Sequence, residues 1–420
     1  MRESHTERSV VVCAQVSILR CLTPQYIVSQ IFRKVAFNHR LRRGGHWPPV
    51  IHKGSNMKLT HVRLSQARNY PGQELALGGG VNILYGDNAQ GKTNFLECVY
   101  FCATGRLLRA GTAKDLIMHG SDEASITVKF TGDFATLPGK VDIRLSKDAG
   151  KAAAVNGLPV KRLSELFGVL LTVAFCPEDL NIISSGPEKR RRFMDMELCQ
   201  TSAVYCHNLA QYYRVLKQRN ALLKRILKSR DDKTVIAPWD GQLCHYGIKI
   251  INQRKFFSEK ISGLACKICG EITGGKDLLE IRYRANADAG EMPERLIKDI
   301  ERDVILGSTQ HGPHKDDLAF IINGRDARIY GSQGQKRTAA ISAKLAEVEM
   351  IREERGEYPV LLLDDVFSEL DANRQNELVT RIAGVQTLLT CTGMDDAASR
   401  FADSRAGAAV YKVENGRILC

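Results

Sequence analysis

No stretch of the chain stays apolar for the roughly 18–20 residues a membrane-spanning helix needs, so a membrane-embedded role is not expected. The twelve cysteines include a single C-x-x-C pair, Cys266 and Cys269. No second C-x-x-C or C-x-x-H completes a set of four zinc ligands. Two cysteines one helical turn apart in an apolar stretch read as core positions. All twelve are expected to be reduced thiols in a cytoplasmic protein. Acidic residues are scarce at the start, where residues 1–56 hold nine Lys/Arg against two Glu. They supply +7 of the chain's +13, and the other 364 residues carry only +6. That mild excess permits nucleic-acid binding without requiring it.

The 420 residues suffice for two domains, or for one domain with a large insertion. A composition of 44% hydrophobic and 25% charged residues is that of an ordinary globular chain. Residues 1–56 differ from the rest. Arg40, Arg42 and Arg43 precede Gly44-Gly45 and Pro48-Pro49, and the acid-poor composition loosely resembles a transit peptide. From Met57 the sequence alternates like a first strand up to Leu64. Met57 is therefore expected to be the biological start, with 1–56 a disordered extension.

Gly86-Asp87-Asn88-Ala89-Gln90-Gly91-Lys92-Thr93 reads G-x-x-x-x-G-K-T, a phosphate-binding loop. The apolar run Val81-Asn82-Ile83-Leu84-Tyr85 before it suits a buried strand, and no helix breaker follows up to Phe101. Glycines let the backbone wrap phosphates, so that N–H groups and the positive end of a helix point inward. Lys92 is expected to reach the β- and γ-phosphates of ATP, and Thr93 to bind Mg²⁺.

A second acidic element lies far along the chain. Pro359-Val360-Leu361-Leu362-Leu363-Asp364-Asp365 is an apolar strand ending in two acids. Asp364 is expected to hold Mg²⁺, and Asp365 to orient or deprotonate the attacking water. Lys92 and Asp364 stand 272 positions apart. That separation implies an insertion between two halves of one nucleotide-binding head: 57–185, an inserted helical arm at 186–278, and 279–420. The fold class is α/β, with mixed sheets, flanking helices and the arm.

The arm is read from its texture. Gly and Pro are absent from 188 to 236, and Met194, Leu198, Tyr205, Leu209, Tyr212, Leu216 and Leu223 recur at helical intervals. Asp231-Asp232 and Ala237-Pro238 break this helix, and a second runs from about Trp239 to Ile272, giving an antiparallel hairpin. Arg190, Arg191, Arg192, Arg214, Lys217, Arg219, Lys224 and Arg225 form either a solvated helix face or a DNA-contacting one.

Ser332-Gln333-Gly334-Gln335 opens a helix whose Ile341, Leu345, Val348 and Ile351 share a face. A hydroxyl, backbone N–H groups and a helix dipole meet there, which makes an anion site. In the ATP-binding-cassette architecture this element touches the γ-phosphate bound by the opposite subunit. Ser368-Glu369-Leu370-Asp371 suits the loop that crosses such a dimer interface. Thr390 or Thr392, at the end of the run 387–392, is placed to sense the γ-phosphate.

The chain resembles the RecF family of bacterial recombination mediators. The resemblance rests on Gly86 to Asn94, on Phe175-Cys176-Pro177-Glu178-Asp179-Leu180, and on Gly186-Pro187-Glu188-Lys189-Arg190-Arg191-Arg192-Phe193-Met194-Asp195. It continues in Tyr213-Arg214-Val215-Leu216-Lys217-Gln218-Arg219-Asn220, Gly312-Pro313-His314-Lys315-Asp316-Asp317, Ser332 to Gln335, and Leu363-Asp364-Asp365-Val366. The chain departs from the family in having Gly105-Arg106-Leu107-Leu108-Arg109 where a Ser-His-Arg type loop is usual, and Lys315 where Arg is usual. The resemblance implies an ATP-dependent homodimer on gapped DNA at single-strand/double-strand junctions, with slow hydrolysis. It also implies cooperation with RecR and RecO in loading RecA, with links to replication restart and SOS induction. A scaffold in which hydrolysis matters little is the alternative. A transporter ATPase is disfavoured, since it usually carries Leu-Ser-Gly-Gly-Gln.

Overall fold

The computed structural model describes residues 55–132, 138–229, 233–393 and 408–419. Residues 1–54, most of the expected extension, lie outside it, as does the expected Asp231-Asp232 break. The last two residues of that extension are ordered. Ser55–Asn56 (β1) pairs in parallel with Glu357–Tyr358, and the Met57 amide donates to the Tyr358 carbonyl at 3.0 Å. Backbone pairing to a distant strand holds residues that composition alone marked as free.

The strands that follow are Lys58–Ala67 (β2), Tyr70–Ala76 (β3), Val81–Tyr85 (β4), Glu123–Thr131 (β5), Gly139–Ser146 (β6), Gly150–Val155 (β7), Leu158–Val160 (β8) and Thr172–Phe175 (β9). After the helical region come Leu279–Arg284 (β10), Asp317–Ile322 (β11), Arg325–Asp326 (β12), Glu357–Tyr358 (β13), Val360–Asp364 (β14), Thr387–Cys391 (β15), Ala408–Glu414 (β16) and Arg417–Leu419 (β17). The helices are Lys92–Thr104 (α1), Pro187–Thr201 (α2), Ala203–Ser229 (α3), Ala237–Thr273 (α4), Met292–Lys298 (α5), Ile300–Leu306 (α6), Ala327–Tyr330 (α7), Gln333–Arg355 (α8) and Ala372–Arg381 (α9).

One sheet has the order β17-β16-β4-β15-β14-β9, parallel except for β17. Its central strands are apolar without alternation because both faces are covered. Val360, Leu361, Leu362 and Leu363 of β14 are all buried, each worth about 1.5–3 kcal/mol. The second sheet, β3-β2-β5-β6-β7-β8, is antiparallel and does alternate: Ile126, Val128 and Phe130 of β5 point inward between polar neighbours. Asn156 and Gly157 form the β7–β8 turn with both φ positive, as an Asn-Gly hairpin requires. Helix α1 lies between the two sheets, touching β14 and β15 on one side and β5 and β6 on the other.

Among the described residues from 187 to 229 the helical stretch is broken once, at Ser202, whose extended backbone (φ −136°, ψ 103°) separates α2 from α3. Helices α3 and α4 pack along each other, and α4 also packs on α8 and β10. Of the apolar residues expected on this stretch, Met194, Leu198, Tyr205, Tyr212, Leu216 and Leu223 are buried and Leu209 is partly buried.

Several of its basic residues are not a surface. Arg190 is buried and donates to both Asp317 oxygens at 2.7 and 2.9 Å, and to the Ser185 carbonyl at 2.6 Å. Arg219 is fully buried between Asp240 (2.6 Å), Asp303 (2.6 Å) and the Thr309 hydroxyl (2.8 Å). Arg191 donates to the Asp316 carbonyl, and Arg192 to that of Leu107. A buried guanidinium needs acceptors, and Arg190 and Arg219 find them inside the chain; half-buried Arg191 and exposed Arg192 are likewise tied to backbone carbonyls. Arg214, Lys217, Lys224 and Arg225 are exposed, as is Arg192 despite its bond to Leu107.

Candidate nucleotide site

The loop of residues 86–93 runs from the end of β4 into α1. Its glycines are required by shape. Gly86 has φ +150°, and a Cβ there would stand 2.3 Å from the Val413 carbonyl oxygen of β16. Gly91 has φ +120°, and its Cβ would meet the Asn69 amide at 2.6 Å. Asp87, Asn88 and Ala89 form the exposed crest. Gln90 is the anchor: its carbonyl accepts from Asn69 Nδ2 at 2.9 Å and from the Gly416 amide at 3.0 Å. Its side-chain oxygen accepts from the Asn415 amide at 2.6 Å. The β16–β17 turn therefore braces the loop, a role for residues 415 and 416 that local motif reading does not reveal.

Lys92 is 7% exposed, and its ammonium donates to the carbonyls of Gly86 (2.6 Å) and Asp87 (2.8 Å). Burial lowers its pKa, against the opposing pull of the nearby Asp365, Cys391 and Asp364. The cation thus sits at the centre of the loop, where anionic phosphates would take over its carbonyl contacts.

Strand order brings the second half of the site here. β15 lies between β4 and β14, so the loop and the acids share the carboxyl edge of one sheet, two strand spacings (about 10 Å) apart. Thr93 Oγ1 donates to Asp364 Oδ1 at 2.7 Å. A 2.7 Å separation of two hard oxygens is close to the edge, about 3 Å, of an octahedron with 2.0–2.1 Å bonds. The pair expected to hold Mg²⁺ therefore fits that ion.

Thr390 is fully buried in register with Asp364. Its hydroxyl donates to Asp364 Oδ1 at 2.9 Å and accepts from the Asp365 amide at 2.9 Å. Asp365 has φ +51°, a left-handed backbone that is costly for a non-glycine residue. Its carboxyl pKa is raised, first by burial and then by the charge of Asp364. Thr390 is thus part of the acid cluster. Thr392 lies instead on the outer side of the loop, lining a cavity of about 300 Å³ with Tyr85, Asp87, Lys412 and Asn415.

The turn from Ser332 to Gln335 is elsewhere. Ser332 caps α8 reciprocally with Gln335: the Gln335 amide donates to Ser332 Oγ at 3.2 Å, and the Ser332 amide to Gln335 Oε1 at 3.1 Å. Gln335 Nε2 also donates to Asp277 Oδ1 at 2.8 Å. Ser332 and Gln333 are exposed and Gly334 is half-buried, and no hydrogen bond joins this turn to the loop among the described residues. Asp371 caps α9 through the Arg374 amide at 3.0 Å. The motif ending in Asp317 is internal: Asp316 accepts from Arg254 at 3.0 Å, and only Lys315 in that stretch is exposed.

The family model described as "RecF/RecN/SMC N terminal domain" matches residues 58–417. A protein of Lachnoclostridium phytofermentans named "DNA replication and repair protein RecF" is 45% identical over 86% of this chain and 99% of its own length. The chain belongs to the RecF family. A like-named protein of Clostridium perfringens is 39% identical over 87% of the chain and its whole length. A solved structure described as the recombination mediator protein RecF-ATP in the RecFOR pathway superposes with TM-score 0.81 at 34% identity, covering 88% of this chain and 99% of that one. The Smc head of Pyrococcus furiosus, at 14% identity and TM-score 0.51, shares the fold alone. This RecF-family chain thus has the ATP-binding-cassette head fold expected from its motifs.

Proposed function

We propose that the chain is an ATP-dependent DNA-binding protein of replication and recombinational repair, in which nucleotide occupancy closes two copies on DNA. The observation that carries this is the convergence, on one sheet edge, of the loop, Lys92, Thr93, Asp364, Thr390 and Asp365, while the Ser332 turn stays exposed for another molecule. Family membership and the ATP-bound RecF structure support the nucleotide.

ATP is bound by the N–H groups of residues 86–93, with Lys92 on the β- and γ-phosphates. Mg²⁺, held by Thr93 and Asp364, supplies neutralisation of charge on the phosphoryl oxygens. Asp365 accepts the proton of the attacking water, and its carboxyl is held beside the phosphates by the Thr390 bond to its amide. Ser332 to Gln335 of a second copy donate to the γ-phosphate, so the dimer is favoured by differential affinity. Asp371 lies in the segment at that interface. DNA, at gaps and single-strand/double-strand junctions, is held through phosphates, and RecR and RecO assist in loading RecA. The RecFOR pathway named for the similar structure supports this last element.

Lys92→Ala tests the reading. ATP is expected to raise the dimer fraction of the natural chain and its affinity for gapped DNA, and to do neither for the variant. Equal dimer fractions with ATP would refute it. One observation favours the scaffold alternative: Asp365 is short and backbone-strained, and burial raises its carboxyl pKa, which suits slow turnover. Single-turnover hydrolysis with and without gapped DNA separates the two.

A further inference from the structure

Two arginines tie the segment after the acids to the first turn of α8, from opposite sides. Arg337, on α8, donates to the Glu369 carbonyl at 2.9 Å and to its carboxylate at 3.2 Å. Arg374, on α9, reaches back: Nη2 donates to the Gly334 carbonyl at 3.1 Å, and Nε to the Thr338 hydroxyl at 2.9 Å. The same guanidinium pairs with Asp371. Acceptors from two elements thus share one planar fork, which a lysine ammonium could not span. Gly334 is fitted to it, since a Cβ there would stand 3.3 Å from Arg374 Nη2.

This clamp sits between two parts with different clients. Asp364 and Asp365 serve the phosphate loop of their own chain. The Ser332 turn has no bond to that loop among the described residues. In a two-fold dimer each copy gives its loop and acids to one site and its Ser332 turn to the other. Resting on the ATP-gated dimer described above, we propose that Arg374 is a positioning residue that aims the Ser332 turn at the nucleotide held by a second copy. Arg337 fixes the same joint from the other side. The clamp also lets a shift in the acids of one site reach the turn that completes the other.

The test is complementation between two defective full-length variants, Arg374→Gln and Lys92→Ala. Arg374→Gln is expected to bind ATP as a monomer like the natural chain, because its loop is intact, and to lose at least about ten-fold in ATP-dependent dimerisation and hydrolysis. Lys92→Ala is inactive for a different reason. Mixed dimers hold one intact site, made of the loop from the Arg374→Gln chain and the Ser332 turn from the Lys92→Ala chain. Neither variant pairs efficiently with itself under ATP, so the ATP-driven dimers are mainly mixed, each with one live site of two, and hydrolysis is expected to recover toward at most about half the natural value.

No recovery, with both variants folded and Arg374→Gln still binding ATP, would show that Arg374 acts within its own site and overturn the proposal. Natural turnover and dimerisation in Arg374→Gln would overturn it equally. If the Gln variant does not fold, Arg374→Lys takes its place, with the same two outcomes. Failure of the natural chain to dimerise with ATP points instead at the dimer itself, and both ideas then fall together.

Discussion

Replacing Thr390 by Val removes one hydroxyl at nearly constant volume, at a fully buried point between the two acids. Asp364 loses one of its two hydroxyl donors but keeps Thr93 at 2.7 Å. The Asp365 amide loses its acceptor altogether. An unpaired donor costs about 1–3 kcal/mol when buried, and this one is half-buried; the bond to the charged Asp364 adds about 1.5 kcal/mol or more. A stability loss of about 2–4 kcal/mol is therefore expected in urea unfolding. The Asp365 backbone, at φ +51°, loses the bond that holds it in a conformation costing about 1–2 kcal/mol. Its carboxyl then leaves the position from which, in the proposed mechanism, it takes the proton, and single-turnover hydrolysis should fall about 10–100-fold. Nucleotide affinity measured without Mg²⁺ should hold, because the loop is untouched. Thr390→Ser is the control: it keeps the hydroxyl and gives up one methyl, about 1 kcal/mol. If Val and Ser variants match in stability and turnover, the hydroxyl is not the link between the acids, and the reasoning is wrong.

His314 is expected to give a distinct pH signature. Its Nδ1 accepts from the Tyr212 hydroxyl at 2.7 Å and its Nε2 donates to the Thr309 carbonyl at 3.0 Å, so the ring is neutral. Burial holds its pKa down at about 4, against 6.5 ordinarily. The native state binds fewer protons than the unfolded chain between these values. The contribution is full above pH 6.5 and lost as pH falls toward 4, about 3 kcal/mol in all. His314→Gln should flatten that slope in urea titrations, and parallel profiles would exclude the assignment. Arg254→Met should cost about 3–5 kcal/mol, since it leaves Asp195 and Asp316 facing each other without their cation. The folded variant should keep the natural salt dependence of DNA binding; a slope reduced by about one would instead make Arg254 a phosphate contact.

The loop and the acid strand were legible because their chemistry is local: a few residues at fixed spacing carry it. Their union was legible only as a requirement, since strand order is set by pairing across hundreds of residues; Thr390 became part of the site only when β15 fell between β4 and β14. The basic helices misled because charge is visible in a sequence and its partner is not. Arg190 meets Asp317 across 127 positions, and Arg219 meets Asp303 across 84. A signal was nonetheless present. Arg219 falls on the stripe of Tyr212, Leu216 and Leu223, and Arg190 on that of Met194 and Leu198, whereas Arg214, Lys217 and Lys224 fall on the opposite face. A cation at a core position of an amphipathic helix predicts a buried ion pair rather than a surface contact.

Those buried pairs constrain how the proposed closure can work. Arg190, Arg219 and Arg254 fasten α2, α3 and α4 to the segment from 303 to 317 at three separate nodes. Breaking one such node costs about 3–5 kcal/mol, more than the 1–3 kcal/mol that couples most ligand sites. ATP binding therefore cannot swing the helical hairpin free of the head. Helix α4 packs along α8, whose first residues follow the Ser332 turn, so the hairpin and that turn move as one body. The exposed face bearing Arg214, Lys217 and Lys224 then changes its position relative to a second copy only when whole heads rotate. In such a device the energy of closure is spent at the nucleotide, and any grip on DNA is altered by reorienting rigid surfaces rather than by bending the arm.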